Sequence, residues 1–252
     1  MKRFFNRLAL AFAISIALII PSFAQDWEKL APGIEYQDLG SNLLSTWSHI
    51  HVFRVNLKIN ELDLVMANQL AQKQPSMNDF AKSSNALIAL NGGFFDRNSN
   101  PLGLRMSHQK QHNPLKRISW WGIFYIKDER PYLSSLNQYQ QDNAVDFAVQ
   151  SGPRLLVNGK ITSLKPGLAE RSALGITSDG QVIILVTEHS PLTTTALAGL
   201  MQSSPLNCKD ALNLDGGSSS QLIANIDSFK IDAQSFANVS DAIVVKPRRA
   251  YS

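Results

Sequence analysis

Two stretches constrain this chain more than any others. Ala211-Leu212-Asn213-Leu214 runs into Asp215-Gly216-Gly217-Ser218-Ser219-Ser220, and Ala86-Leu87-Ile88-Ala89-Leu90 runs into Asn91-Gly92-Gly93-Phe94-Phe95-Asp96. In each, an apolar run of strand length stops at an amide or acid and a pair of glycines. Glycine permits positive φ and lets backbone N–H groups approach an anion closely. Asp-Gly is also a strong hairpin signal, so a tight turn is the competing reading of such a stretch taken alone. Two strand ends with one grammar point to two walls of one site.

Residues 1 to 24 read as a cleaved secretory signal. Lys2, Arg3 and Arg7 precede an apolar run over 8–20, and Ser22 and Ala24 occupy the −3 and −1 positions of a cut before Gln25. The run falls short of the roughly 20 residues needed to span a bilayer, and no cysteine follows the cut to carry a lipid. The expectation is a periplasmic or secreted protein with no stable membrane anchor. The full chain has 24 Lys+Arg and 20 Asp+Glu; the leader holds three of the basic residues and none of the acidic ones, so the net charge falls from +4 to +1 without it. No dense basic run interleaves with aromatics, and Lys246-Pro247-Arg248-Arg249 reads as a solvated tail, which argues against nucleic acid as a partner. The single cysteine, Cys208, rules out an internal disulfide and reads as a small buried hydrophobe.

The remainder is long enough for one large domain, with residues 25–79 adding N-terminal strands and a short helix to the unit formed by 80–247. Residues 25–42 read as an irregular entry. Phe53, Val55, Leu57 and Ile59 then alternate with Arg54, Asn56 and Lys58, the pattern of a half-buried strand, and residues 62–66 are expected to pair with it across Asn60-Glu61. His49 and His51 share one side of that strand but lack a third ligand at a recognisable spacing, which favours surface or cleft-rim histidines over a metal pair. Ser76 with Asp79 is a capping box. The polar stretch 98–114, carrying Arg105, His108 and His112, reads as a loop over the cleft, with an exposed loop of no function as the alternative.

Strands follow over 120–126 and 144–149, with a hairpin at Asn158-Gly159 and a backbone-exposing turn at Ser151-Gly152-Pro153. Residues 171–177 and 181–188 form another hairpin. Arg171 stands at its entrance, where a guanidinium fork suits a phosphate or carboxylate; a surface salt bridge fits the pattern equally well. Thr193 caps a helix with Leu197, Leu200 and Met201 on one face, and Pro205 stops it. Short strands over 221–224, 229–231 and 242–246 complete the chain. The fold class expected from this series is α+β: a single domain with a mixed, mostly antiparallel sheet and two or three helices.

Five ordered blocks carry a resemblance: Asn91-Gly92-Gly93-Phe94-Phe95-Asp96, Ser151-Gly152-Pro153-Arg154-Leu155-Leu156, Arg171-Ser172-Ala173-Leu174-Gly175-Ile176, Asn213-Leu214-Asp215-Gly216-Gly217-Ser218-Ser219 and Val239-Ser240-Asp241-Ala242-Ile243. Over about residues 80–247 the chain resembles the phosphodiester glycosidase family, which includes the enzyme that uncovers mannose 6-phosphate. Ser218 departs from it, standing where many members have a third glycine.

The resemblance implies hydrolysis of the bond between a sugar's anomeric carbon and a phosphate, with a phosphorylated carbohydrate as substrate. A phosphodiester already leaves well, so the demanding work is activating water or stabilising positive charge at the anomeric carbon, which suits a carboxylate. Asp215 is the first choice, with Asn91, Arg171 and Asp96 beside it in the catalytic set and Glu170 and Asp241 as further carboxylates. The implied substrate-binding set is Asn213, Gly92, Gly93, Gly216, Gly217, Ser218, Arg105, Ser151 and Asp241. No cofactor is expected, and a metal requirement is left open. A non-catalytic phosphoglycan-binding protein and a phosphodiesterase cutting P–O are the rival readings.

Overall fold

The computed structural model describes residues 27–40 and 46–248, so the expected leader lies outside the described residues, as does Arg249 of the basic tail. Every strand pair described is antiparallel, and the strands fall into several sheets. The largest runs, in spatial order, Glu28–Ala31, Ile34–Asp38, His49–Val55, Val182–Glu188, Ser172–Thr177, Cys208–Asn213, Arg154–Val157 and Lys160–Ile161. A five-stranded sheet runs Phe229–Ala233, Leu222–Ile226, Ile88–Asn91, Asp241–Pro247 and Asn60–Met66, and another runs Lys110–Asn113, Arg105–Ser107, Val145–Ser151, Gly122–Lys127 and Arg130–Ser135.

One central core joins the three. Phe53, Leu174, Ile184 and Leu212 from the large sheet meet Leu64, Leu90, Leu222 and Ile243 from the second and Phe124 and Phe147 from the third. Two helices cover outer faces. Helix Thr194–Gln202, capped by the Thr193 side chain on Ala196 N–H, lays Leu197, Ala198 and Met201 against Leu155, Leu185 and Ala211 of the large sheet. Helix Met77–Ser84, opened by the reciprocal Ser76–Asp79 capping box, lays Met77 and Phe80 against Ala89 and Val244 of the second. With both faces of a sheet covered, its strands become continuous apolar runs such as Val182–Val186. Cys208 lies in this interior, where burial and nearby Asp210 push its thiol up to about 12.

Several expectations are corrected. With 47% strand, 11% helix and two α-helices among the described residues, the fold is mostly β rather than α+β; the antiparallel pairing holds. The entry segment is a hairpin, Glu28–Ala31 with Ile34–Asp38. The strand at His49–Val55 is buried on nearly all positions instead of half-buried, and Asn60–Met66 pairs with Asp241–Pro247 in a different sheet. The stretch 98–114 is largely a hairpin, Arg105–Ser107 with Lys110–Asn113, folded into the third sheet. It reads as a loop because its buried Leu104 and Met106 are interleaved with a buried arginine and serine, and its second strand, Lys110–Asn113, is polar throughout.

Candidate active site

The two Gly-Gly turns sit side by side, and Asn91 bolts them together. Its Nδ2 donates to Asp215 O (2.8 Å) and Gly92 O (3.2 Å), while Oδ1 accepts from Ser172 Oγ (2.7 Å) and Gln221 N (3.2 Å). Asp215 N donates back to Gly92 O (3.3 Å). Asn91 is fully buried, and every polar atom of its amide is used, so it works as a structural tie.

Behind the first turn lies a buried ion pair. Arg105 Nε donates to Asp241 Oδ2 at 2.8 Å with both side chains wholly inaccessible. The remaining guanidinium nitrogens donate to the carbonyls of Phe94, Leu102, Leu104 and Gln150. This corrects the expectation that Arg105 grips an anionic ligand: its donors are committed and it is sealed from solvent. A Cβ on Gly92 would overlap Asp241 Oδ2, and one on Gly93 would come 2.7 Å from Arg105 Nη2. The glycines of this turn make room for the pair.

The second turn opens on a cleft of about 830 Å³, lined by Asp215, Gly216, Gly217, Asn213, Arg171, Arg154 and Lys165 on its polar side and by Phe94, Trp120, Pro153, Pro166 and Leu168 on its apolar side. That size and mixture of apolar wall and convergent polar groups are typical of a small-ligand site. Asp215 has its pKa raised. Burial is the largest cause and the charge of Asp241 adds to it, against hydrogen bonds from Ser219 and Gly216 N–H and the charge of Arg105. A carboxylate held reluctant to ionise in a cleft is a candidate for proton transfer.

Arg171 also lines the cleft, but Nε donates to Leu192 O (2.8 Å) and Nη2 to Gly167 O, leaving Nη1 near Gly216. It pins the 165–169 segment as well as contributing charge. Asn213 spends its Nδ2 on Gly152 O (3.0 Å) and Leu214 O, and its buried Oδ1 has no partner among the described residues. Ser151 is fully buried, its hydroxyl unpartnered among the described residues. Glu170 presents its backbone carbonyl to Gly217 N–H (2.8 Å) and its carboxylate to Thr187 Oγ1.

The structure therefore gathers Asp215, Asn213, Gly216, Gly217 and Arg171 at the cleft, and places Asn91, Gly92, Gly93, Arg105 and Asp241 as the layer behind. Ser218 is exposed and lends its carbonyl to Ser235 and Ala237. Asp96 is absent from the lining; its carboxylate accepts from Asn98 N, Asn100 N and Asn100 Nδ2, closing its own loop. His49 and His51 stack on each other and pair with Asp38 and Glu188, away from this lining. Arg154, Trp120 and Lys165 are among the lining residues to which sequence reasoning gave no role; Arg154 stood in a recognisable block, but an arginine on a strand reads as surface.

Residues 84–246 match the model of the phosphodiester glycosidase family, which spans well over half of the chain. The chain belongs to that family. In sequence it is similar to the uncharacterized protein YigE of Escherichia coli K12, at 28% identity over 150 residues; the match covers 55% of this chain and 58% of the relative. In structure it is similar to the zebrafish N-acetylglucosamine-1-phosphodiester alpha-N-acetylglucosaminidase catalytic domain, auto-inhibited by its pro-peptide, with TM-score 0.66, 19% identity and 88% and 86% of the two chains covered. A hypothetical protein from Synechocystis gives TM-score 0.60 at 18% identity, over 86% of this chain and 63% of that one. At such identities the likeness to the solved structures is one of fold. Among the described residues no helix is long and apolar enough to cross a membrane.

Proposed function

We propose that this protein is an exported hydrolase that cleaves the glycosyl C–O bond of a sugar 1-phosphodiester in a phosphorylated glycan or related glycoconjugate. Family membership supports the reaction class, and the basic, apolar and small-residue pattern of the first 24 residues supports export. The observation that carries the reading is Asp215. It reaches a cleft furnished with cations, and it is the carboxyl group there whose proton affinity burial has raised.

In this mechanism Arg171 and Arg154 supply positive potential for the phosphodiester, and Asn213 Oδ1 accepts a hydrogen bond from a sugar hydroxyl. Asp215 in its ionised form takes a proton from the attacking water or stabilises the positive charge that grows on the anomeric carbon. The phosphate departs already ionised, which removes most of the need for an acid at the leaving oxygen.

Turnover of UDP-N-acetylglucosamine, glycerophospho-sugars and teichoic-acid fragments in water enriched in oxygen-18 tests the proposal. Label on the sugar is expected. Label on the phosphate identifies P–O cleavage, and saturable binding without turnover identifies a glycan-binding protein; either outcome rejects it.

A further inference from the structure

Three arginines approach the two Gly-Gly turns, and they differ in what their donors are already doing. Arg105 is spent on Asp241 and on backbone carbonyls. Arg171 has given Nε and Nη2 to Leu192 O and Gly167 O. Arg154 lines the cleft, is half-buried, and its guanidinium makes no hydrogen bond or ion pair among the described residues; its Nε is buried with no partner at all.

The surroundings hold Arg154 in place without using its donors. Its backbone pairs with Leu212 in the large sheet, and its carbonyl accepts from Thr162 Oγ1. Its stem lies over Gly122, where a Cβ would come 2.5 Å from Arg154 Cγ, so only glycine leaves room for it. The turn that carries it is rich in unmet hydrogen-bonding capacity. Ser151 Oγ, Asn213 Oδ1 and Trp121 Nε1 are also buried without partners, and Trp121 packs directly on Gly152. Buried polar atoms are nearly always paired; of these four, those of Arg154 and Asn213 belong to residues that line the cleft, where a ligand can meet them, while Ser151 and Trp121 stand outside its lining. Asn213 is only 4% exposed, and with its Nδ2 fixed on carbonyls it can offer this ligand an acceptor.

We infer that Arg154 is the residue that reads the anionic group of the ligand: its guanidinium takes a phosphate oxygen while Asn213 Oδ1 accepts from a neighbouring sugar hydroxyl. The ligand class is a sugar phosphate, with Arg154 as the determinant of specificity for the phosphate. This rests on the proposed reading of the cleft but does not require that the bond be broken.

Titration calorimetry at low salt with inorganic phosphate, glucose 1-phosphate and free glucose, on wild type, Arg154→Gln and Arg154→Lys, tests it. Arg154→Gln is expected to weaken both phosphate ligands roughly 10- to 100-fold, the range for losing a hydrogen bond to a charged partner, with no change in melting temperature. Arg154→Lys keeps charge and stem but not the fork, so it should fall between, and it carries the test should the Gln variant not fold. Unchanged phosphate affinity in the variants, or no phosphate binding by the wild type, overturns the assignment. The two readings fail separately. Arg154-dependent phosphate binding with no hydrolysis of any sugar phosphodiester removes the hydrolase and keeps Arg154; hydrolysis with KM unmoved in both variants does the reverse.

Discussion

The two Gly-Gly turns are written almost alike and used differently. In Asn91-Gly92-Gly93 the glycines carry no special φ; they are small because Asp241 and Arg105 occupy the space a Cβ would need. In Asp215-Gly216-Gly217 the second glycine has φ +63 and open space around it, so its use is conformational, turning the chain so that Asp215 faces the cleft. The first turn is built against the core and the second against solvent, and Asn91 couples them through Asp215 O. Gly216 is packed too, since a Cβ there would come 2.8 Å from Glu170 O, so the contrast between packing and conformation is that of Gly92 and Gly93 with Gly217.

The sharpest way to break the first turn is Gly92→Ala. The added methyl must displace the Asp241 carboxylate and so breaks a fully buried ion pair. The expected loss is about 3–5 kcal/mol, the cost of leaving a buried charge uncompensated, read by urea unfolding. A loss near zero would mean that Asp241 can move freely and that the turn is not packed as described.

For the second turn the large effect is on chemistry. Asp215→Asn preserves shape and removes charge, and kcat should fall by a factor on the order of 10² to 10⁴. Stability should move the other way. Between the ordinary aspartate value of 3.8 and the raised one, the folded chain holds a proton that the unfolded chain has released, so wild-type stability falls as pH rises through that window. The Asn variant escapes this loss. Its melting temperature should exceed that of wild type at neutral pH and converge with it below 3.8. The same raised pKa moves the acid limb of the wild-type kcat/KM profile above the ordinary aspartate range, and a profile flat through that region would remove Asp215 as a base.

How far these differences could be read in advance depended on where each signal lies along the chain. The strand ends at 86–93 and 211–217 and the caps at Ser76 and Thr193 are local patterns, and the structure has them where local chemistry puts them. The pairing of Asn60–Met66 with Asp241–Pro247 joins segments some two-thirds of the chain apart, and no turn between them announces it. Arg105 was misleading for a different reason. A charged side chain in a polar stretch reads as exposed, yet here one carboxylate and a ring of carbonyls satisfy it completely in the interior. Proximity of Asp241 to Asn91 and Asp215 is likewise a product of the second sheet, in which Ala242 pairs with Asn91.

A smaller effect separates the turns again. Gly217→Ala meets no neighbouring atom, so its cost is the left-handed backbone alone, about 1–2 kcal/mol. Asn is better suited to that conformation and should recover part of the loss. If Gly217→Ala instead destabilised as much as Gly92→Ala, the distinction between a packed turn and a conformational one would fail.

The smallest effect is expected at Asp96, which follows the first turn by three residues and stands in a block shared with the family. Its carboxylate accepts two backbone N–H groups, from Asn98 and Asn100, and the Asn100 side chain. Those bonds, led by Asn100, hold its pKa below the ordinary aspartate value, the reverse of Asp215. A group that readily ionises in its own loop is poorly placed to exchange protons with a ligand elsewhere. Asn has the same shape and an Oδ1 that can take the backbone donors, so Asp96→Asn should keep the turn, the melting temperature and kcat close to wild type. The side-chain contact to Asn100 is the part it weakens. A hundredfold drop in kcat at unchanged stability would instead put Asp96 in the reaction and require the 96–100 loop to reach the cleft when ligand is bound.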